Sequence, residues 1–380
     1  MRNLVYAILT IVVLYSYLHS QENNDSALVI GEYISVQSEI LNETRTLSVY
    51  VPSGYSDSKE KYPVLYVLDG GITPRMMLAA ATTEALNSLG LLPEMIIIGI
   101  DSKNSVRDYF PQPLDSRPGS GHADDFIDFI DKELIPFVDS RYRTNSYRVL
   151  CGASNSGMLT VYTMLTKPEL FSSYIAASPS VGWFPDFITQ LAAQRLDGNA
   201  FPSKSIYMNY GTDDLERIVL NAIDTFTTVF TNHAPENLRW TMERIPDGGH
   251  VPYISFYDGL RFVIPDWKCP DSIITAGGLA GVQAYYEELS QRYGFPIRVP
   301  TQYFSDIGMN FLRATDYTSA IDIFTAFTTE YPNSVRANYY LGTAYLGAGD
   351  TTQAVTALQR AIEADSTFAP AKNKLQQIQN

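Results

Sequence analysis

Cysteine is scarce in this chain: 380 residues contain two, Cys151 and Cys269. A disulfide framework therefore cannot be what holds the fold together. Cys151 closes an apolar run, where a thiol behaves as a small hydrophobe, so two free thiols are expected rather than a Cys151–Cys269 bridge. Histidine is equally thin, with four scattered copies and no metal-site spacing, so no metal and no organic cofactor are expected. His122 stands near Asp124 and Asp125, which reads as a helix start with favourable acidic residues. Positive charge is also short. Twenty-seven Lys and Arg face 41 Asp and Glu, a formal net charge of −14, which opposes nucleic acid and anionic lipid as partners.

Long apolar runs are missing too. The longest, Leu4 to Leu18, is short for a membrane span. Arg2 precedes it, Ser20-Gln21 offers a cleavage point, and the polar Gln21-Glu22-Asn23-Asn24-Asp25 follows. Residues 1–20 thus have the layout of a secretory signal peptide, and export to a secreted or periplasmic location is expected, with no stable span after cleavage. Leu18, three residues before the cut, leaves an uncleaved anchor as the competing reading.

The length suggests about two domains. Ala27 to Ser38 and Thr44 to Pro52 read as paired strands, because Leu47, Val49 and Val51 alternate with Ser48 and Tyr50. Pro63 to Leu68 and Met95 to Ile100 are continuous apolar runs, as in strands covered on both faces. Helices are predicted over Met76 to Leu89, Ala123 to Asp139 and Met158 to Thr166, with further strands at Ser173 to Ala177, Ile206 to Tyr210 and Trp240 to Ile245. This alternation predicts an α/β domain over residues 27–268 with a mainly parallel sheet. Sites in such sheets lie at the carboxyl ends of strands, where Gly70, Ser154, Ser178 and Asp214 fall.

From about residue 300 the texture changes. Gly308, Leu312, Asp316 and Ala320 recur 34 residues later as Gly342, Leu346, Asp350 and Ala354. That period, with small residues where paired helices cross, is the signature of tetratricopeptide repeats. Residues 301–380 are read as two repeats and a closing helix (Ala369 to Ile378), joined by a helical linker over 269–300. Two repeats alone bury little, so they are expected to lean on the α/β domain, and a protein partner on them is one expectation.

The stretch Val149 to Met158 organises the chemistry. An apolar strand ends in Gly152-Ala153-Ser154-Asn155-Ser156-Gly157 and a helix follows at once. A serine on such a strained strand–turn–helix is a nucleophile elbow, here with Ser156 where a second glycine is usual. An ordinary strand end with a serine N-cap would read much the same, so the partners decide. Acyl transfer by serine needs a base, an acid that orients it, and donors for the oxyanion. His250, in a glycine-rich loop after a strand, suits the base better than His233, which falls at a helix end. For the acid, Asp213, Asp214 and Glu216 all follow a strand. Asp214 is preferred, and a dyad without an acid stays open. The amide of Asn155 and one from Gly70 or Gly71 would supply the donors.

At this point the residues carry a family likeness. Tyr62 to Gly70, Arg107-Asp108-Tyr109-Phe110-Pro111, Glu133 to Asp139, Ser178 to Trp183 and Tyr257 to Arg261 resemble successive blocks of an esterase family. That family includes esterase D (S-formylglutathione hydrolase), enterochelin esterases and feruloyl or acetylxylan esterases. The likeness runs over roughly residues 28–265 and implies an α/β-hydrolase three-layer sandwich followed by a small all-α repeat domain. It implies Ser154 as nucleophile and His250 as base. The departures are Ser156 in the elbow and Gly71 where an acidic residue is common. The expected activity is hydrolysis of small-molecule carboxylic esters, with Arg107 and Trp183 bordering the pocket. A non-catalytic interaction module on the same scaffold, or acyl transfer to another acceptor, are the competing readings.

Overall fold

A computed structural model describes residues 29–56, 58–71, 74–197, 201–215 and 217–379. The leader over 1–20 and Glu216 lie outside the described residues.

Among the described residues the chain opens with a hairpin of β1 (Glu32–Ser38) and β2 (Glu43–Tyr50). Strands and helices then alternate: β3 (Tyr62–Leu68), α1 (Pro74–Ser88), β4 (Ile96–Ile100), the short α2 (Ser105–Tyr109), and α3 (Ala123–Phe129). A π-helical turn at Ile130–Leu134 carries α3 into α4 (Ile135–Arg141). Next come β5 (Thr144–Ala153), α5 (Asn155–Thr166), β6 (Ser173–Ala177), α6 (Pro185–Leu196), β7 (Lys204–Gly211), α7 (Arg217–His233), β8 (Leu238–Ile245) and α8 (Ser255–Val263).

The strands form one sheet in the order β1-β2-β4-β3-β5-β6-β7-β8. The β1–β2 and β2–β4 pairs are antiparallel and the remaining pairs parallel. Strand alternation splits the core in two. Val64, Tyr66 and Leu68 of β3 face one layer, packed with Phe126, Leu159, Ile188 and Phe226. Leu65 and Val67 face the other, with Ala79, Leu260 and Val282. The central strands are covered on both sides, which is why they read as unbroken apolar runs.

After the sheet, α9 (Asp271–Tyr293) leads into two helix pairs, α10 (Thr301–Arg313) with α11 (Tyr317–Glu330) and α12 (Val335–Gly347) with α13 (Thr351–Ala364), and then α14 (Ala369–Gln379). The linker helix is broken at Gly278, whose φ of 53° is not helical. The 34-residue period is built into the caps: Asp316 accepts the amide of Ser319 at 3.1 Å, and Asp350 that of Gln353 at 3.0 Å. The first pair packs on the sheet's second layer. Tyr303, Phe304, Phe324 and Phe327 share one continuous cluster with Tyr286, Trp267 and the sheet residues Leu65 and Val149. Cys151 and Cys269 are both buried and free.

Candidate active site

β5 ends at Ala153, α5 begins at Asn155, and Ser154 makes the whole turn between them with φ 60° and ψ −122°. A non-glycine residue there is strained and held by its surroundings. The turn is tight because strand and helix cross closely. A Cβ on Gly152 would lie 2.3 Å from the carbonyl oxygen of Ser156. The Ser154 amide is held by the carbonyl of Ala177 on β6 at 2.9 Å.

The hydroxyl is thereby raised above the sheet, toward the loop after β8. His250 Nε2 lies 2.9 Å from Ser154 Oγ. On its other side, His250 Nδ1 is 3.1 and 3.0 Å from the two carboxylate oxygens of Asp214. Asp214 is buried and sits in the turn that leaves β7, its amide bonded to the Gly211 carbonyl. Asp213 points to the loop backbone instead. Its Oδ1 accepts the Gly249 amide at 2.9 Å and so steadies the loop that carries His250. That loop is pinned again at Ser255, whose hydroxyl donates to the Pro252 carbonyl at 2.6 Å. His233 ends α7, where its ring is 3.9 Å from Asp197.

The amide of Asn155 opens α5, and the first N–H groups of a helix have no partner inside it. The two glycines after β3 part company. The Gly70 amide is donated to the Ile100 carbonyl at 3.2 Å, so of the two expected donors Gly70 is already engaged. A Cβ on Gly71 would lie 2.7 Å from Asp101 Oδ1, so a larger residue there would require the Asp101 side chain to move.

Ser156 is more than a small residue accommodated in the elbow. Its buried hydroxyl reaches Asp69 Oδ2 at 2.8 Å and also lies 2.8 Å from the Ala153 carbonyl and 2.9 Å from its amide. Asp69, at φ 54°, also accepts from Tyr109 Oη and from Arg75, each at 2.8 Å. The elbow and the Asp69-Gly70-Gly71 loop are thus tied through one carboxylate.

Trp183 comes to the site, its indole N–H donating to Asn155 Oδ1 at 3.0 Å. Arg107 is drawn elsewhere. Its guanidinium is bonded to Glu43 at 2.7 Å and to Asp108 at 2.8 Å, so its charge is met by carboxylates at the hairpin side of the sheet rather than offered to a pocket. Sequence reasoning missed Ser180, whose Oγ lies 3.2 Å from Ser154 Oγ. Its place just past the carboxyl end of β6, inside the Ser178 to Trp183 block, is the signal that could have found it. Among the described residues no group of three or more His, Cys, Asp or Glu is placed to hold a metal.

A hydroxyl, an imidazole and a buried carboxylate in series, beside a helix N-terminus, can carry acyl transfer. The sheet order and layering are those of the α/β-hydrolase fold. Within that fold, residues 38–223 match the Putative esterase family model and residues 305–367 match a tetratricopeptide repeat. The chain is similar to the ferri-bacillibactin esterase BesA of Bacillus subtilis, 30% identical over 39% of this chain and 58% of that protein. It is also similar to the siderophore triacetylfusarinine C esterase of Aspergillus fumigatus, 32% identical over 32% of this chain and 45% of that protein. The chain therefore spans about half the length of these curated relatives, 58% and 45%. An IroE-like serine hydrolase from Shewanella oneidensis has a similar structure, with TM-score 0.64 and 27% identity over 75% of this chain and 94% of that one.

Proposed function

We propose that this chain is an exported serine esterase that hydrolyses small-molecule carboxylic esters. What supports it most is the contact series from Ser154 Oγ to His250 Nε2 at 2.9 Å and from His250 Nδ1 to Asp214 at 3.0 Å. Ser154 attacks the ester carbonyl while His250 takes its proton. Asp214 holds the imidazole in the tautomer that leaves Nε2 free to accept, and stabilises the imidazolium that forms. The amides of Asn155 and Gly71 receive the oxyanion. His250 then protonates the departing alcohol, leaving an acyl group on Ser154. Water activated by His250 releases the acid. Siderophore-type esters are the first natural candidates, because both curated relatives are named for them. The leader over residues 1–20 supports export, and the amino-terminal sequence of the mature protein tests it.

The decisive measurement is turnover of p-nitrophenyl acetate and butyrate by wild type and Ser154→Ala, with fluorophosphonate labelling alongside. Wild type is expected to hydrolyse and take the label, and the variant to do neither. Equal turnover by both would remove Ser154 from the reaction. No turnover and no label in either would favour a non-catalytic interaction module.

A further inference from the structure

Behind the elbow lies a cavity of about 140 Å³ that the triad itself does not occupy. It exists because the strand ends facing it are small. Cys151 and Ala153 of β5 and Ala177 of β6 form its floor, whereas the residues one step earlier on that face, Val149 and Ile175, fill their space. Leu78 and Arg75 of α1 make one wall, Val251 and Phe256 the other, and Tyr253 stands at the mouth. The three loops that carry the reaction converge on this space: the elbow, the helix after the oxyanion loop, and the segment after His250.

The lining is largely apolar, and the polar side chains of Arg75 and Ser255 are occupied within the protein. Arg75 is bonded to Asp69 at 2.8 Å, and Ser255 to Asn209 and Pro252 at 3.0 and 2.6 Å. Burial pushes the Cys151 thiol up to about 12, so it stays neutral. A water molecule needs two to four polar partners, and a dry apolar cavity of about 150 Å³ is large enough to bind benzene. We propose that this cavity receives a compact apolar group of the ester, the size of a benzene ring or a four-carbon chain. The bulkier remainder would lie over the open rim, where Leu215 is 92% and Tyr253 80% exposed. The inference rests on the esterase reading above.

Full-length wild type, Cys151→Leu and Leu78→Ala test it through kcat/KM in two series. One varies the acyl group (p-nitrophenyl acetate, butyrate, benzoate, hexanoate), the other the alcohol (methyl, butyl and benzyl acetate). Each buried methylene adds about fourfold, so in the series whose group enters the cavity wild type should favour the four-carbon or benzene-sized member over the smallest at least tenfold. Cys151→Leu, which fills the space, should erase that ratio, and Leu78→Ala should shift the preference to a longer chain. Opposite shifts in two variants cannot both come from misfolding. Ester turnover with the same ratios in all three proteins, in both series, would overturn the cavity's role and leave the esterase reading standing. Absence of any ester turnover by wild type would overturn the esterase reading and this inference together.

Discussion

The two halves of the molecule use left-handed backbone for different ends. In the sheet half, Asp69, Ser154, Ser178 and Asp247 take φ of 54°, 60°, 43° and 52°, each at or just past the carboxyl end of a strand, on the rim where the site lies. In the repeats the same conformation occurs at Thr315 with φ 57°, and one period later at Gly349 with φ 82°. The second copy has glycine, which adopts that conformation without steric cost. At two of these rim positions the side chains carry contacts: Ser154 to His250, and Asp69 to Ser156, Tyr109 and Arg75. At those two positions a left-handed residue keeps a side chain that makes contacts, whereas the second repeat has glycine at its turn.

The comparison breaks most completely if the halves prove separable. Trp267 and Tyr147 both pack on Tyr293 of the linker helix, with ring centroids 5.8 and 5.2 Å apart. Truncation after Trp267 should therefore uncover an aromatic surface and yield aggregates by light scattering. A monodisperse, fully active truncate would show that the repeats do not brace the sheet.

Within the sheet half, Asp214→Asn should lower kcat by about 10³- to 10⁴-fold through the wrong imidazole tautomer. Asp213→Asn touches only the Gly249 amide and should cost about tenfold or less. Comparable losses in the two variants would remove the distinction between them. Ser156→Ala deletes one of the donors to Asp69 and loosens the oxyanion loop. We expect kcat to fall roughly 10- to 100-fold, as for a displaced oxyanion donor, with KM little changed. A melting temperature that drops while kcat holds would make Ser156 a purely structural tie.

The smallest effect is the sharpest for the comparison. Thr315→Gly should stabilise the protein by about 1 kcal/mol, the cost of a left-handed non-glycine residue, without touching turnover. Ser154→Gly should stabilise by a similar amount and abolish turnover. Denaturant midpoints measured beside ester hydrolysis would separate the two cases, and a destabilised Thr315→Gly would refute the account of strain.

Much of this was legible in the chain. The helix expected at Ala123 to Asp139 runs from Ala123 to Arg141, interrupted only by its π turn, because apolar residues recur at helical spacing. Ser173 to Ala177 is a strand with the expected limits. The repeat helices start at Thr301 and Val335, since the 34-residue period marks where helices cross. What the chain left open was finer. Gly70 and Gly71 are adjacent and chemically identical, yet one amide is consumed by Ile100 across the sheet. Arg107 sits in a family-like block, but Glu43, 64 residues earlier, claims it. Ser180 lay inside the Ser178 to Trp183 block, but nothing local marked it as facing Ser154.

Periodicity, apolar runs and small residues at crossing points determined the element types, the repeats and the position of the elbow, because these are encoded within a turn or two of the chain. Which of two neighbouring aspartates meets His250, which glycine amide is already engaged, and that a cavity lies behind Ser154 were decided only in three dimensions. Those contacts join residues 30 to 96 positions apart. They depend on how parallel strands register and where their loops return, which no local pattern records.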